Sequence, residues 1–262
     1  MKRKTVKESL QRLSKASPSR RLFVTACMVI FVCLAFVASA NAQKFSRTFP
    51  AKGNVKLELK NRAGTVVVSG WAKNEIKVVA TMEAPYAKCS PKMNGDDLLI
   101  DVVNENQGKG DVGNIRFDIN VPFNTRVDIE TKIGDIKINN VEGSLVRAHV
   151  SSEGDITLVN IRSESVMAKN ISGDIFFDGE LKSGGNYKFN SVQGNINIRI
   201  PQNSTFRLFA QAPASRKITL GSFAGAGLNY YDENRKVAGV VGDGKASLTV
   251  ENQRGSIALI KR

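Results

Sequence analysis

GDIKINNVEGSLVRAHVSSEGDITLVNIRSESVMAKNISGDIFFDGELKSGGNYKFNSVQGNINI, residues 134–198, states one short phrase four times: Gly134-Asp135-Ile136, Gly154-Asp155-Ile156, Gly173-Asp174-Ile175 and Gly194-Asn195-Ile196. The four glycines are 20, 19 and 21 residues apart. A fixed period of this size marks a chain built from stacked repeats. Working outward, Gly113-Asn114-Ile115 precedes the series by 21 residues, and Gly64-Thr65-Val66 and Gly255-Ser256-Ile257 are outlying copies read as its two ends.

The flanks turn the phrase into a table. Two and four residues after each glycine come Val66 and Val68, Ile115 and Phe117, Ile136 and Ile138, Ile156 and Leu158, Ile175 and Phe177, Ile196 and Ile198, and Ile257 and Leu259, all large and apolar. Seven and five residues before it come Leu57 and Leu59, Val127 and Ile129, Val166 and Ala168, Tyr187 and Phe189, and Leu248 and Val250. Val146 and Ala148 fit ahead of Gly154 if that strand carries one extra residue, as a β-bulge permits. Apolar residues at every second position on both sides of a glycine mean two short strands joined by a tight bend, each with one face buried. Gly followed by Asp or Asn suits such a bend. Asn61, Thr131, Asn170, Ser191 and Asn252, three residues before the glycine, place a small polar group at each corner, where it can satisfy turn backbone along the stack.

One such unit cannot bury its apolar face alone, so the units must stack at the strand spacing of about 4.8 Å. The fold expected is all-β, a short-coil β-solenoid of about 20 residues per coil. An antiparallel β-sandwich also uses many short strands, but gives no reason for every strand pair to repeat one offset table. Residues 43–262 form this domain, and two stretches leave the pattern as irregular excursions. Residues 72–112 hold Pro85, Cys89 and Pro91, and residues 203–245 are Gly-rich around Asn229-Tyr230-Tyr231-Asp232-Glu233, read as a hairpin or flap before the last coil. Excursions of this kind suit the ends of a stack, whose open strands need covering.

The chain resembles a family of exported bacterial adhesin-like proteins of the domain-of-unknown-function class. The resemblance rests on LELKNRAGTVVVSGW (57–71), on Val121-Pro122 leading into residues 127–139, on the Gly-Asp-Ile series and on the closing residues 248–259, and it covers about residues 50–262. It implies a short-coil β-solenoid and an envelope location. It brings no catalytic residues with it.

Ahead of the repeats lies a leader, residues 1–42. A basic stretch (Lys2, Arg3, Lys4, Lys7, Arg12, Lys15, Arg20, Arg21) precedes an apolar run from Leu22 to Val37 and the tripeptide Ala40-Asn41-Ala42. That order is a signal peptide with cleavage between Ala42 and Gln43, which sends the protein to the periplasm or the cell surface. The alternative is an inner-membrane anchor, because residues 22–43 carry no charge and could cross a hydrocarbon core of about 30 Å. Arg20-Arg21 also resembles a twin-arginine signal, so the export route stays open. Eight of the 38 basic residues and one of the 24 acidic residues fall in the leader, so half of the net charge of +14 belongs to it. The remainder is too mixed for a nucleic-acid footprint. Cys27 and Cys33 lie in the leader and leave Cys89 alone, which rules out a disulfide framework within the mature chain.

The chemistry on offer is sparse. Asp135, Asp155 and Asp174 form a column that could in principle share Ca²⁺, but Asp at these positions is explained by the turn, and no metal or cofactor is expected. Arg147, His149, Lys169 and Lys188 occupy outward positions of three successive repeats and are the candidate contact surface for an anionic envelope glycan or lipid. Tyr230 and Tyr231 are the candidate aromatic contacts, and Trp71 reads as a cap over the core. His149 is the one histidine, on a regular strand, so a nucleophile-base triad has little to draw on. The expected role is non-enzymatic, binding or scaffolding. A carbohydrate-active β-helix enzyme and a self-assembling structural protein are the alternatives.

Overall fold

The computed structural model describes residues 42–51, 54–213 and 217–262. The leader's basic stretch, its apolar run, Cys27 and Cys33 lie outside the described residues.

Strands are numbered in chain order. Each repeat gives one strand to each of two sheets, with the glycine at the bend between them. The repeat pairs are β2 (Lys56–Ala63) with β3 (Val66–Trp71), β8 (Arg126–Ile133) with β9 (Ile136–Asn139), β10 (Leu145–Glu153) with β11 (Ile156–Ile161), β12 (Ser165–Ser172) with β13 (Ile175–Gly179), β14 (Asn186–Gln193) with β15 (Ile196–Ile200), and β20 (Ala246–Asn252) with β21 (Ile257–Lys261). Pairing between repeats is parallel and in register: Ile136, Ile156, Ile175, Ile196 and Ile257 lie opposite one another in turn. The eight core positions of the central repeats, Ile136, Ile138, Ile156, Leu158, Ile175, Phe177, Ile196 and Ile198, are fully buried between the sheets. Two long parallel sheets closed on one apolar core make the fold all-β and β-solenoid-like. The bulge ahead of Gly154 is present: β10 carries one residue more than β12 between Val150 and Glu153.

The spatial order of the repeats departs from their order in the chain. One sheet runs β1 (Gln43–Pro50), β4 (Glu75–Met82), β7 (Ile115–Pro122), β3, β9, β11, β13, β15, β21, β17 (Ile218–Thr219). The other runs β18 (Leu228–Tyr231), β19 (Lys236–Val241), β16 (Phe206–Gln211), β20, β14, β12, β10, β8, β2, β6 (Asp97–Asp101), β5 (Lys92–Asn94). The outlying Gly64 and Gly255 copies therefore sit inside the stack and do not end it. The stretches read as irregular, 72–112 and 203–245, hold seven of these strands, β4 to β6 and β16 to β19, and the one-turn helix α1 (Val102–Glu105). They cover the two ends: the terminal repeats keep full apolar faces and need neighbours on both sides. The Gly113 copy also leaves the table. Val66 pairs with Phe117 instead of Ile115, and Ile115 turns to Met82 of antiparallel β4, because the backbone of Gly113 is tied to Pro85.

Cys89 is half-buried, and burial, with a smaller contribution from Glu105, pushes its thiol up to about 11. Such a thiol is protonated and chemically quiet at neutral pH.

Candidate functional site

The corners come first, because they fix the strands that carry the site. Asn61, Thr131, Asn170, Ser191 and Asn252 are buried. The Asn170 amide donates to the Gly173 carbonyl at 2.7 Å, and the Asn252 amide donates to Gly194 of the neighbouring repeat at 2.8 Å. The acidic column beside them is a ladder of acceptors. Asp135 accepts from the Asp155 amide (3.1 Å), Asp155 from the Asp174 amide (2.7 Å), and Asp174 from the Asn195 amide (2.7 Å). These carboxylates tie each bend to the next one, so their chemistry is used in the fold. Among the described residues, no group of three or more His, Cys, Asp and Glu is placed to hold a metal ion.

With the bends locked, outward side chains of the 11-stranded sheet line up in rows running across the strands. One row is Asp128, Arg147, Met167, Lys188 and Thr249, and the next is Glu130, His149, Lys169, Asn190 and Glu251. The space between these rows is an open depression of ≈ 270 Å³, floored by the strand backbone at Ala148, Ala168 and Phe189, whose side chains face the core. The four residues predicted as a basic surface, Arg147, His149, Lys169 and Lys188, all line it. Met167, Asn190, Thr249 and Glu251 line it as well and were missed, although the same offset table places them. Thr249 precedes Gly255 by six residues, as Lys188 precedes Gly194 and Met167 precedes Gly173.

Register settles which charges are already spoken for. Arg147 Nε donates to Asp128 Oδ1 at 2.7 Å, and His149 Nδ1 lies 3.8 Å from Glu130 Oε1. Asn190 donates to Glu251 at 3.0 Å. Lys169 and Lys188 are exposed and form no ion pair or hydrogen bond with any described residue. The pKa of His149 is lowered, first by burial, which outweighs the favourable charge of Glu130, and further by Lys169 and Arg147. The imidazole is thus neutral at neutral pH. Since the native state then binds fewer protons than the unfolded chain, stability falls as pH drops from the ordinary histidine value of about 6.5 towards the lowered one.

The two tyrosines do not form one surface. Both are exposed, on opposite faces of β18: Tyr230 lies opposite Val237 and its hydroxyl donates to the Ile218 carbonyl at 3.0 Å, whereas Tyr231 lies opposite Lys236. Successive strand residues face opposite ways, which the adjacency in sequence hides. Trp71 is half-buried, donates from Nε1 to the Glu75 carbonyl at 2.8 Å, and has Lys73 over its ring at 4.8 Å. It clasps the turn after β3. On the other sheet, Asp178 is buried against Arg199 Nη2 (2.7 Å) and Arg262 Nε (3.4 Å), a cluster that sequence reading did not single out. Two guanidiniums neutralise one buried carboxylate, and this cluster ties β13 to β15 and to Arg262.

A family model described as Toastrack DUF4097 matches residues 32–259 of the chain. None of the curated proteins matches it. Among solved structures, a "putative cell adhesion protein" from Clostridium sporogenes is 15% identical, with 85% of this chain and 100% of that chain covered and a TM-score of 0.51. A "putative adhesin" from Bacteroides fragilis is 10% identical over 83% of this chain and 97% of that one, with a TM-score of 0.39. A "putative lipid binding protein" from Parabacteroides distasonis is 11% identical over 84% and 98%, with a TM-score of 0.37.

Proposed function

The chain belongs to the Toastrack DUF4097 family, and from that membership we propose that it is an exported, non-enzymatic binding protein of the bacterial envelope. Its contact surface is the outer face of the 11-stranded sheet, and its partner is anionic, a glycan or a lipid head group. The observation that carries this reading is the pair Lys169 and Lys188, two cations on adjacent strands that share one depression and have no acidic partner among the described residues. Charged groups with no internal partner cost nothing to keep on a solvated face, and they gain from an external counter-charge. Among the described residues lining the depression the one carboxylate is Glu251, already held by Asn190, which is not the pair of carboxylates a glycosidase needs. Self-assembly through open edges is disfavoured by the edge strands themselves: β5, β17 and β18 have two to four residues, and β1 carries Lys44 and Arg47.

Replacing Lys169 and Lys188 together by Ala should weaken binding to phosphatidylglycerol vesicles by about tenfold or more, while each change alters stability by less than about 0.5 kcal/mol. Wild-type binding should fall with added salt, since exposed charges are screened over about 8 to 10 Å. Vesicle co-sedimentation at two ionic strengths, with thermal unfolding of both proteins, checks this. Unchanged binding by the double variant would remove the surface from consideration.

Export is supported by the order of basic stretch, apolar run and Ala-x-Ala site, and by β1 beginning at Gln43, so that cleavage there leaves the strand whole. Among the described residues no helix is long and apolar enough to cross a membrane. Sequencing the N-terminus of the protein recovered from fractionated cells should give Gln43. Full-length chain in the inner membrane would instead establish residues 22–43 as an anchor.

A further inference from the structure

We propose that the depression between the two rows is a subsite for a single phosphomonoester group, borne on a sugar or a lipid head group, with Lys169 and Lys188 as its direct ligands. This rests on the reading of the sheet face as an anionic contact surface and narrows it to one ligand chemistry.

Three features select this ligand. The first is extent. The cationic stretch covers only β10, β12 and β14; Asp128 and Glu130 on β8 close one end and Glu251 on β20 closes the other. A long polyanion lying across the strands would run over these carboxylates and be repelled. The depression is also small, ≈ 270 Å³, which suits one sugar-sized or head-group-sized unit.

The second is charge. Lys169 lies opposite Asn190, and Lys188 is two residues before Asn190, so the lysines are diagonal neighbours with Cβ atoms roughly 7 to 8 Å apart. At that separation two ammoniums on flexible stems can converge on one group between them. Arg147 is engaged by Asp128 and His149 is neutral, so the two lysines are the unpaired cations of the depression, with the Glu251 carboxylate, held by the Asn190 amide, at its β20 edge. A carboxylate or phosphodiester brings one negative charge, whereas a phosphomonoester near pH 7 brings about 1.5 to 2 and three acceptor oxygens. Of the three, the phosphomonoester has the strongest attraction to two lysines and the oxygens to bridge them.

The third is the lining beside the cations. Met167 separates Arg147 from Lys188 in its row, above a floor of strand backbone at Ala148, Ala168 and Phe189, whose side chains face the core. With the lysine stems this makes an apolar wall for the carbon-bound face of the carrier, while the phosphate meets the ammoniums.

His149 reports occupancy. It is the sole histidine, lies opposite Lys169 across β10 and β12, and faces Glu130 from β8 and Arg147 on its own strand. A bound dianion beside Lys169 cancels the lysine's repulsion and raises the imidazole pKa. The test is NMR titration of the His149 ring against pH in the mature protein, alone and with glucose 6-phosphate, glucuronate or phosphatidic acid vesicles. Glucose 6-phosphate should raise the His149 pKa and bind about tenfold more tightly than glucuronate, and Lys169→Ala or Lys188→Ala should each cost about tenfold in that affinity. A rise with phosphatidic acid vesicles but not with the sugar phosphate assigns the phosphomonoester to a lipid head group. If neither phosphomonoester moves His149, while the double lysine variant still loses phosphatidylglycerol binding, the subsite is overturned and the anionic surface stands. If the double variant loses nothing on any probe, both fall.

Discussion

Gly173→Ala is expected to destabilise the protein by about 3 to 5 kcal/mol, from backbone strain and from overpacking against a neighbouring repeat. Gly173 has φ +126°, and a Cβ built there would land on the carbonyl of Gly154 one repeat away. The glycines stack backbone on backbone, and no side chain fits between successive bends. Gly184 supplies the control: its φ is +77°, but a Cβ there meets nothing within 4 Å. Gly184→Ala should therefore cost about 1 to 2 kcal/mol, the strain alone. Urea unfolding of both variants followed by circular dichroism separates the two contributions. Equal losses would mean that close approach of the bends contributes nothing.

Ile156→Ala should cost about 2 to 5 kcal/mol, and Thr157→Ala about 0.5 kcal/mol or less. Ile156 is fully buried, with Ile136 on one side and Ile175 on the other, so truncation leaves a hole flanked by two repeats that are pinned by their own hydrogen bonds. Thr157 points the other way, between Lys137 and Phe176 on the outer face of the 10-stranded sheet. The same denaturation measurement decides the matter, and similar losses at the two positions would contradict the alternation on which the fold reading rests.

The repeat table was legible because both of its signals are local: the alternation of Ile156, Thr157 and Leu158 is set by strand geometry, and the bend by the glycine. Even the extra residue of β10 could be read from the displacement of Val146 and Ala148 relative to Gly154. What the table could not carry is which strand lies beside which at the ends. β20 follows β19 in the chain but inserts between β14 and β16, and no local pattern records that choice. The basic surface was half legible. Offsets from the glycines place Arg147, Lys169 and Lys188 on one face, but the neutralisation of Arg147 by Asp128 depends on register between repeats 19 residues apart in sequence. Tyr230 and Tyr231 are both exposed, but adjacency in a strand sets them on opposite faces, and with no glycine-anchored offset in 203–245 there was nothing to reveal the strand.

The displaced position of the last repeat governs how the chain can be assembled in time. A chain emerging from its N-terminus completes β14 and β15 and then makes β16, whose permanent neighbour β20 has not yet been delivered. Seating β16 directly on β14 would give a register that the finished protein does not use, so the place beside β14 must stay vacant until residues 246–261 arrive. Completion of the stack is thus postponed to the last stretch of polypeptide. Closure comes when the C-terminal repeat drops into its slot and Arg262 reaches Asp178 like a latch.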